Sequence, residues 1–382
     1  MESGNKILIK KIKERIKRRG KITFAEFMDM AIYYPDLGYY TSSPDRIGWE
    51  GDYYTSADLH PVFGRLIGKQ ILQMAALSLL NEEKEFFIVE VGGGKGILCN
   101  DILNYLKEKE GDFYRRIRYI LIDKSPLMKE RQERLLKTCH EDRIEWKEKI
   151  KDIQTQKGIT GCILSNELID AFPVHIIVIK GGGLKEVYVD LKGENLAEIL
   201  DEPSTNELSL YLKRLNISLN KGYRTEINLN SIKWIRETGN ILRRGFVITI
   251  DYGYPANELY APHRSEGTLL CYYRHKVNSN PYARIGEQDI TSHIDFTSIA
   301  RAGKEEGLEV TGFTDQMHFL MGLRIDEEIK NNMPMDKLAR IKSLITPSGS
   351  GKTFKILIQH KGTRNLKLDG LRFRPFFQDI LS

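Results

Sequence analysis

Phe86–Gly96 reads FFIVEVGGGKG, and the residues after it, Ile97–Lys107, read ILCNDILNYLK. The first six are aromatic or β-branched apart from Glu90, which predicts a buried strand. Ile97, Leu98, Ile102, Leu103 and Leu106 then recur at helical spacing. Working outward, Tyr119–Ile122 is a second strand ending in Asp123, and Ser125-Pro126 starts a helix running to about Thr138. Further strands are expected at Ile144–Trp146, Gly161–Ser165, Gly245–Ile250, Leu308–Phe313 and Thr353–His360, with helices at Ser231–Arg243 and Phe296–Glu306. Strands alternating with helices predict a doubly wound, mainly parallel α/β sheet. Two stretches break that rhythm. Val174–Leu191 reads as a hairpin turning at Gly181-Gly182-Gly183 and continues through polar sequence to about Thr225; Pro255–Ile290 is rich in Tyr, His, Pro and Arg. Each follows the carboxyl end of a core strand, where open α/β sheets bind ligands, so both suit a substrate lobe.

The glycine turn decides the ligand. Glycines let the backbone approach a bound group, and a helix start offers free N–H groups. A dinucleotide loop, G-x-G-x-x-G, needs its third glycine at position 97 counted from Gly92, or at 99 counted from Gly94. Those positions hold Ile97 and Cys99, so both registers fail. The S-adenosylmethionine (SAM) loop of class I methyltransferases has the form (E/D)-x-G-x-G-x-G, and Glu90, Gly92, Gly94 and Gly96 fill all four positions. Asp123, at the end of the second strand, stands where ribose hydroxyls are bound. Ser348–Thr353 contains GSGKT, but the glycine six residues before the lysine of a phosphate loop is replaced by Thr346. The following stretch reads as a strand, so this is a turn.

The 382 residues include 41% hydrophobic and 29% charged residues, enough apolar material for a sizeable core. No apolar run approaches the eighteen or so residues of a membrane span. Cys99, Cys139, Cys162 and Cys271 are widely spaced, which argues against a disulfide framework or a thiolate zinc site. Asp289, His293 and Asp295 form too loose a trio to be read as metal ligands, and no metal is expected. The net charge of +6 is concentrated at the start: residues 1–21 hold nine Lys/Arg and two Glu, and the rest holds 49 basic and 50 acidic residues. A body of net charge −1 disfavours a nucleic-acid face. Ile9, Ile12 and Ile16 give the basic segment one apolar face, expected to dock as a helix on the body. The charged start lacks the apolar stretch of a secretory signal and the Arg/Ser richness of a mitochondrial presequence. The expectation is a cytoplasmic, bacterial protein.

Beyond these patterns, the blocks FMDMAIYYPDLGYY and GDYYTSADLHPVFG within residues 24–66, EVGGGKG, SNELIDAFPVH, IDYGY, GTLLCYYRHK, GEQDITSHIDFT and GKTFKILIQ occur in order to about His360. Together they resemble the MidA family of class I SAM-dependent methyltransferases, which includes a mitochondrial complex I assembly factor that methylates an arginine. The resemblance implies a Rossmann-like, seven-stranded sheet with an inserted substrate-binding lobe and an N-terminal helical segment. It divides the chain into 1–60 (basic helix and lid), 61–170 (SAM-binding core), 171–226 (inserted lobe), 227–255 (core), 256–291 (second insertion), 292–361 (C-terminal core strands) and 362–382 (tail). It implies methyl transfer from SAM to a protein, and an arginine as the acceptor. A metabolite acceptor and a SAM-binding assembly factor without turnover are the alternatives. The oligomeric state stays open, a homodimer included.

Asn166-Glu167-Leu168-Ile169-Asp170 follows the fourth strand, beside the sulfonium methyl in class I enzymes. It is similar to the acidic loop of arginine methyltransferases, where a Glu grips the guanidinium. Glu167 is therefore assigned to the acceptor, with Asp170 as a second carboxylate or loop-ordering residue. The alternative is that Glu167 caps a following helix. Arginine methyltransferases carry a second Glu about nine residues on, whereas this chain has Ile176. Asn166, with Thr55 and Ser56 of the lid, is expected at the cofactor, and Asp251–Tyr254 at the acceptor pocket. His293 is a candidate proton acceptor, because its side chain titrates near neutrality.

Overall fold

The computed structural model describes residues 3–43, 46, 48, 51–79, 85–329, 333–364, 366–373 and 380. The chain forms two compact units, one from residues 54–168, 234–253 and 299–382, the other from 1–53, 169–233 and 254–298. Arg374, Phe376 and Phe377 of the Arg/Phe-rich tail lie outside the described residues.

The first unit is the core. Its strands are β1 (Phe86–Val91), β2 (Ile117–Ile122), β3 (Ile144–Lys147), β4 (Ile159–Asn166), β5 (Leu242–Tyr254), β6 (Glu309–Asp315) and β7 (Phe354–Lys361). They line up as β3-β2-β1-β4-β5-β7-β6. Neighbours from β3 to β5 run parallel, and β7 runs antiparallel to both β5 and β6. The apolar runs of β1, β4 and β5 are central and buried. Helices Val62–Ser78 and Ile97–Lys109 pack Phe63, Ile67, Ile71, Ile102 and Leu106 into one cluster with Ile88, Cys162 and Ile248 of the sheet. The sheet order changes direction between β1 and β4, and α/β folds bind ligands outside the strand ends at such a point. Ser348–Thr353 is a turn between helix Met335–Ile345 and β7, as its sequence implies.

The second unit is a lobe of antiparallel sheet and helix. Hairpin strands His175–Lys180 and Gly183–Lys192 turn through Gly181 and Gly182 at positive φ. The polar stretch beyond them holds more order than its sequence suggests: strand Asn195–Asp201 pairs with the hairpin, and helix Glu207–Leu215 packs Leu208 and Leu212 against Ile177 and Ile227. Pro255–Ile290 contributes a three-stranded sheet of Leu270–Tyr273, Lys276–Asn278 and Asp289–Thr291. The basic helix, Lys6–Arg19, docks within this unit through Leu8, Ile12 and Ile16; Leu8 replaces the expected Ile9, which is only partly buried. Several expected boundaries also move. Residues 54–60, read with the N-terminal segment, belong to the core unit, and 169–170, 227–233, 254–255 and 292–298, read as core, belong to the lobe.

Candidate active site

After β1, Gly92, Gly94 and Gly96 adopt φ of +76°, +49° and +79°, a region that a side chain with a Cβ enters at a cost of about 1–2 kcal/mol. The Gly92 N–H donates to the Ile122 carbonyl (2.8 Å) and the Gly96 N–H to the Gly93 carbonyl (2.8 Å), so the turn folds tightly onto the end of β2. A Cβ at Gly92 would lie 2.7 Å from Leu168 Cδ1, and one at Gly93 2.5 Å from Leu121 Cδ2. Gly96 begins helix Ile97–Lys109 without a side-chain cap, which leaves the first-turn N–H groups to other acceptors. Glu90 is buried beneath the turn and accepts the Tyr119 hydroxyl. Burial pushes its carboxyl up to about 8, against the pull of Tyr119. Its protein partner is thus the neighbouring strand.

Asp123 is held from two sides. Its Oδ1 accepts the Ser125 N–H (2.9 Å), and its Oδ2 accepts Gln132 Nε2 (3.2 Å). Gln132 Nε2 also donates to the Gly94 carbonyl (2.9 Å), while its Oε1 accepts Trp146 Nε1 (3.1 Å). Gln132, on helix Pro126–His140, thereby ties the carboxylate to the glycine turn. Sequence reading missed it, since a glutamine nine residues past an aspartate on an amphipathic helix carries no motif. Burial pushes the Asp123 carboxyl up to about 6, opposed by its hydrogen bonds. The Gly94 and Lys124 N–H groups also bond the carboxylate, so it sits in a ring of donors at the glycine turn.

At the end of β4, Asn166 Oδ1 is buried with no hydrogen-bond partner among the described residues. Its Nδ2 lies 3.3 Å from Glu167 Oε1. Glu167 takes φ +51°, and the following residues turn without forming a helix, which removes the helix-cap alternative. The Glu167 N–H donates to the Ile250 carbonyl (2.9 Å), and the Leu168 N–H donates to Asp251 Oδ2 (3.2 Å). Asp251, fully buried, therefore fixes the acidic loop.

Glu167 Oε1 also accepts the Ser56 N–H (2.8 Å). Thr55 and Ser56 begin the short helix Ser56–Leu59. The Thr55 hydroxyl and N–H both donate to Asp58 Oδ2 (3.0 Å each), and Asp58 pairs with Lys95 of the glycine turn. The Ser56 hydroxyl donates to Gln316 Oε1 (3.1 Å), and Gln316 Nε2 donates to Ser350 Oγ (2.8 Å) of the GSGKT turn. The Ser56 hydroxyl thus ties this segment to Gln316, while the Thr55 hydroxyl serves its own short helix through Asp58.

The remaining candidates belong to the lobe. Asp170 is buried, and its carbonyl accepts the Ser292 N–H (3.0 Å). The His293 ring lies 5.4 Å from that of Tyr254, and the His293 backbone N–H donates to Thr268 Oγ1 (3.1 Å). A cluster that the sequence did not flag surrounds Asp289. Tyr40 donates to Asp289 Oδ1 (2.9 Å), stands 3.3 Å from the Tyr53 hydroxyl and stacks on Tyr33. Burial and the charge of Asp170 push the Asp289 carboxyl up to about 8, opposed by the Tyr40 hydrogen bond.

The sheet order, the single reversed strand β7, the glycine turn after β1 and the carboxylate closing β2 define a class I SAM-dependent methyltransferase. The uncapped helix start after the turn, Asp123 and the unpartnered Asn166 Oδ1 fit the nucleoside and amino-acid ends of SAM. Residues 66–314 match the family of S-adenosyl-L-methionine-dependent methyltransferases, and the chain belongs to that family. Relatives include the mitochondrial protein arginine methyltransferase NDUFAF7 homolog of Drosophila melanogaster, 24% identical over 96% of this chain and 88% of its own length. The Homo sapiens NDUFAF7 is 23% identical over 96% of this chain and 86% of its own. A Burkholderia thailandensis crystal structure with S-adenosyl-homocysteine bound superposes with a TM-score of 0.86. It is 25% identical, and the match covers 96% of this chain and 94% of that one. SAM is the methyl donor. Among the described residues no cluster of three His, Cys, Asp or Glu side chains suits a metal, and no helix is long and apolar enough to cross a membrane.

Proposed function

We propose that the chain methylates an arginine side chain of a protein. Relatives named as protein arginine methyltransferases match it over most of both lengths, which supports a shared acceptor chemistry. Glu167 carries the reading. A non-glycine residue is held at φ +51° directly after β4, its carboxylate anchored by a backbone N–H, and such strain persists where the surrounding structure requires it.

Bound SAM supplies an electrophilic methyl on a sulfonium. The acceptor must then present a lone pair, and a guanidinium with a pKa above 12 holds its nitrogens cationic. A fixed carboxylate accepting two guanidinium N–H groups orients the planar head and raises electron density on the attacking nitrogen. Alignment of this kind is the larger part of what such an enzyme contributes. The second glutamate of other arginine methyltransferases is absent here; Ile176 is buried in a lobe strand. Within the lobe itself, Asp170 and Asp289 are buried carboxylates, with Tyr40 donating to Asp289.

The test is incubation of the purified protein with methyl-labelled SAM and a lysate, followed by mass spectrometry of protein and small-molecule fractions. Methylarginine formed by the wild type and absent with Gly94→Val is the expected result. Label confined to metabolites, or to residues other than arginine, overturns the reading.

A further inference from the structure

A cleft of about 240 Å³ in the lobe plays no part in the chemistry described above. Its size, below the range of cofactor pockets, suits one long side chain. Ile176 and Leu269 form apolar wall, and Tyr282 contributes a ring. The charged lining is Glu198, Arg224, Glu226 and Glu266. Arg224 is already engaged: its Nη1 and Nη2 donate to the two Glu198 oxygens at 2.9 and 2.8 Å. Glu226 and Glu266 form no ion pair of their own among the described residues, so the lining retains negative charge.

Glu226 is 7% exposed. Its bonds from neighbouring residues, the Thr268 N–H (2.8 Å) and hydroxyl (3.0 Å), both fall on Oε2. No other residue donates to Oε1 among the described residues. Gly267, at φ +80°, packs against this carboxylate, where a Cβ would lie 2.3 Å from Oε1, and the N–H of Glu226 itself bonds the carboxylate as well, so no cation is dedicated to it. Burying a carboxylate without a dedicated cation is costly, and a cation placed on Oε1 offsets that cost. The three glutamates of the lining are not arranged to hold a metal ion. Apolar wall beside an aromatic ring and two carboxylates matches the stem and planar head of arginine better than a compact, strongly hydrated ammonium.

We propose that this cleft binds an arginine side chain of a protein chain, with the guanidinium on Glu226 and Glu266 and the stem along Ile176, Leu269 and Tyr282. The assignment concerns the lobe alone and does not rest on which group accepts the methyl.

The test uses Nα-acetyl-arginine amide, with its citrulline and lysine counterparts, titrated into protein labelled at isoleucine and leucine methyls. Ile176 and Leu269 signals should move saturably with arginine, and citrulline should bind at least about tenfold more weakly because it lacks the charge. Glu226→Gln should weaken arginine binding about tenfold or more. Glu266→Gln, at an exposed position with little risk to folding, should weaken it about two- to fivefold. S-adenosyl-homocysteine binding checks that each variant is folded. The proposal is overturned if arginine moves only methyls elsewhere, if both variants bind like wild type, or if citrulline or lysine binds as well as arginine.

Discussion

Protonating Asp123 should weaken donor binding, and the structure sets the pH at which this happens. Burial raises its carboxyl to about 6. About a tenth of the protein then carries the ionised form at pH 5 and about nine-tenths at pH 7. If the carboxylate is what accepts the ribose hydroxyls, S-adenosyl-homocysteine affinity should be flat above pH 7 and fall about tenfold per pH unit well below 6. The sign is opposite for the unliganded protein. A carboxyl raised above its ordinary 3.8 binds protons more tightly in the native than in the unfolded state, so this residue's contribution to stability declines as pH rises from about 4 through about 6. Asp123→Asn should weaken binding by about 10- to 100-fold at pH 7.5, the range expected for losing charge-assisted hydrogen bonds, and should abolish the dependence near pH 6. Gln132→Leu removes a hydrogen bond that holds the carboxyl down, so the midpoint should move upward, a response that a merely structural glutamine would not produce. Calorimetric titration from pH 5 to 8 reads all three. A flat profile for the wild type, or an unchanged slope in Asp123→Asn, refutes the reasoning.

Gly94→Val places a β-branched residue at φ +49° in the donor turn; S-adenosyl-homocysteine binding should become undetectable by calorimetry while circular dichroism retains the native helix content. Glu167→Gln keeps an acceptor for the Ser56 N–H, so donor affinity should stay within about twofold, whereas methyl transfer to protein should fall by about a hundredfold or more, the scale of losing an aligned charged contact. Undiminished transfer would exclude Glu167 from acceptor binding. Lys95→Ala leaves the largely shielded Asp58 carboxylate without its cation but with its two Thr55 hydrogen bonds, which should cost about 1–3 kcal/mol in urea unfolding, with part recovered when Asp58→Asn is added.

The glycine turn and Asp123, the candidate donor half of the site, were legible in the sequence because their geometry is local. Glu90 to Gly96 are consecutive, their left-handed turns require glycine, and Asp123 is marked by the strand it closes. The same locality made the core strands readable: buried parallel strands such as β1, β2 and β4 are continuous apolar runs, and each of the expected runs became a strand. The acidic loop was readable as residues but not as geometry. Whether Glu167 capped a helix or stood in a strained turn depended on pairing with Ile250 and Asp251, more than eighty residues away.

Tertiary structure alone decided the rest, because it brings together residues with no mutual spacing. Gln132 reaches Asp123 and Gly94 only once its helix lies along the glycine turn. Ser56, read as a cofactor contact, spends its hydroxyl on Gln316, 260 residues distant. Tyr40 and Asp289 meet across 249 residues of intervening chain, and Glu226 opens into a cleft completed by Leu269 and Tyr282. Sequence patterns record what each segment needs from its immediate neighbours: a period, a turn, a cap. A buried carboxylate's partner is chosen by folding, when burial makes an unpaired charge costly and leaves the nearest available donor to satisfy it.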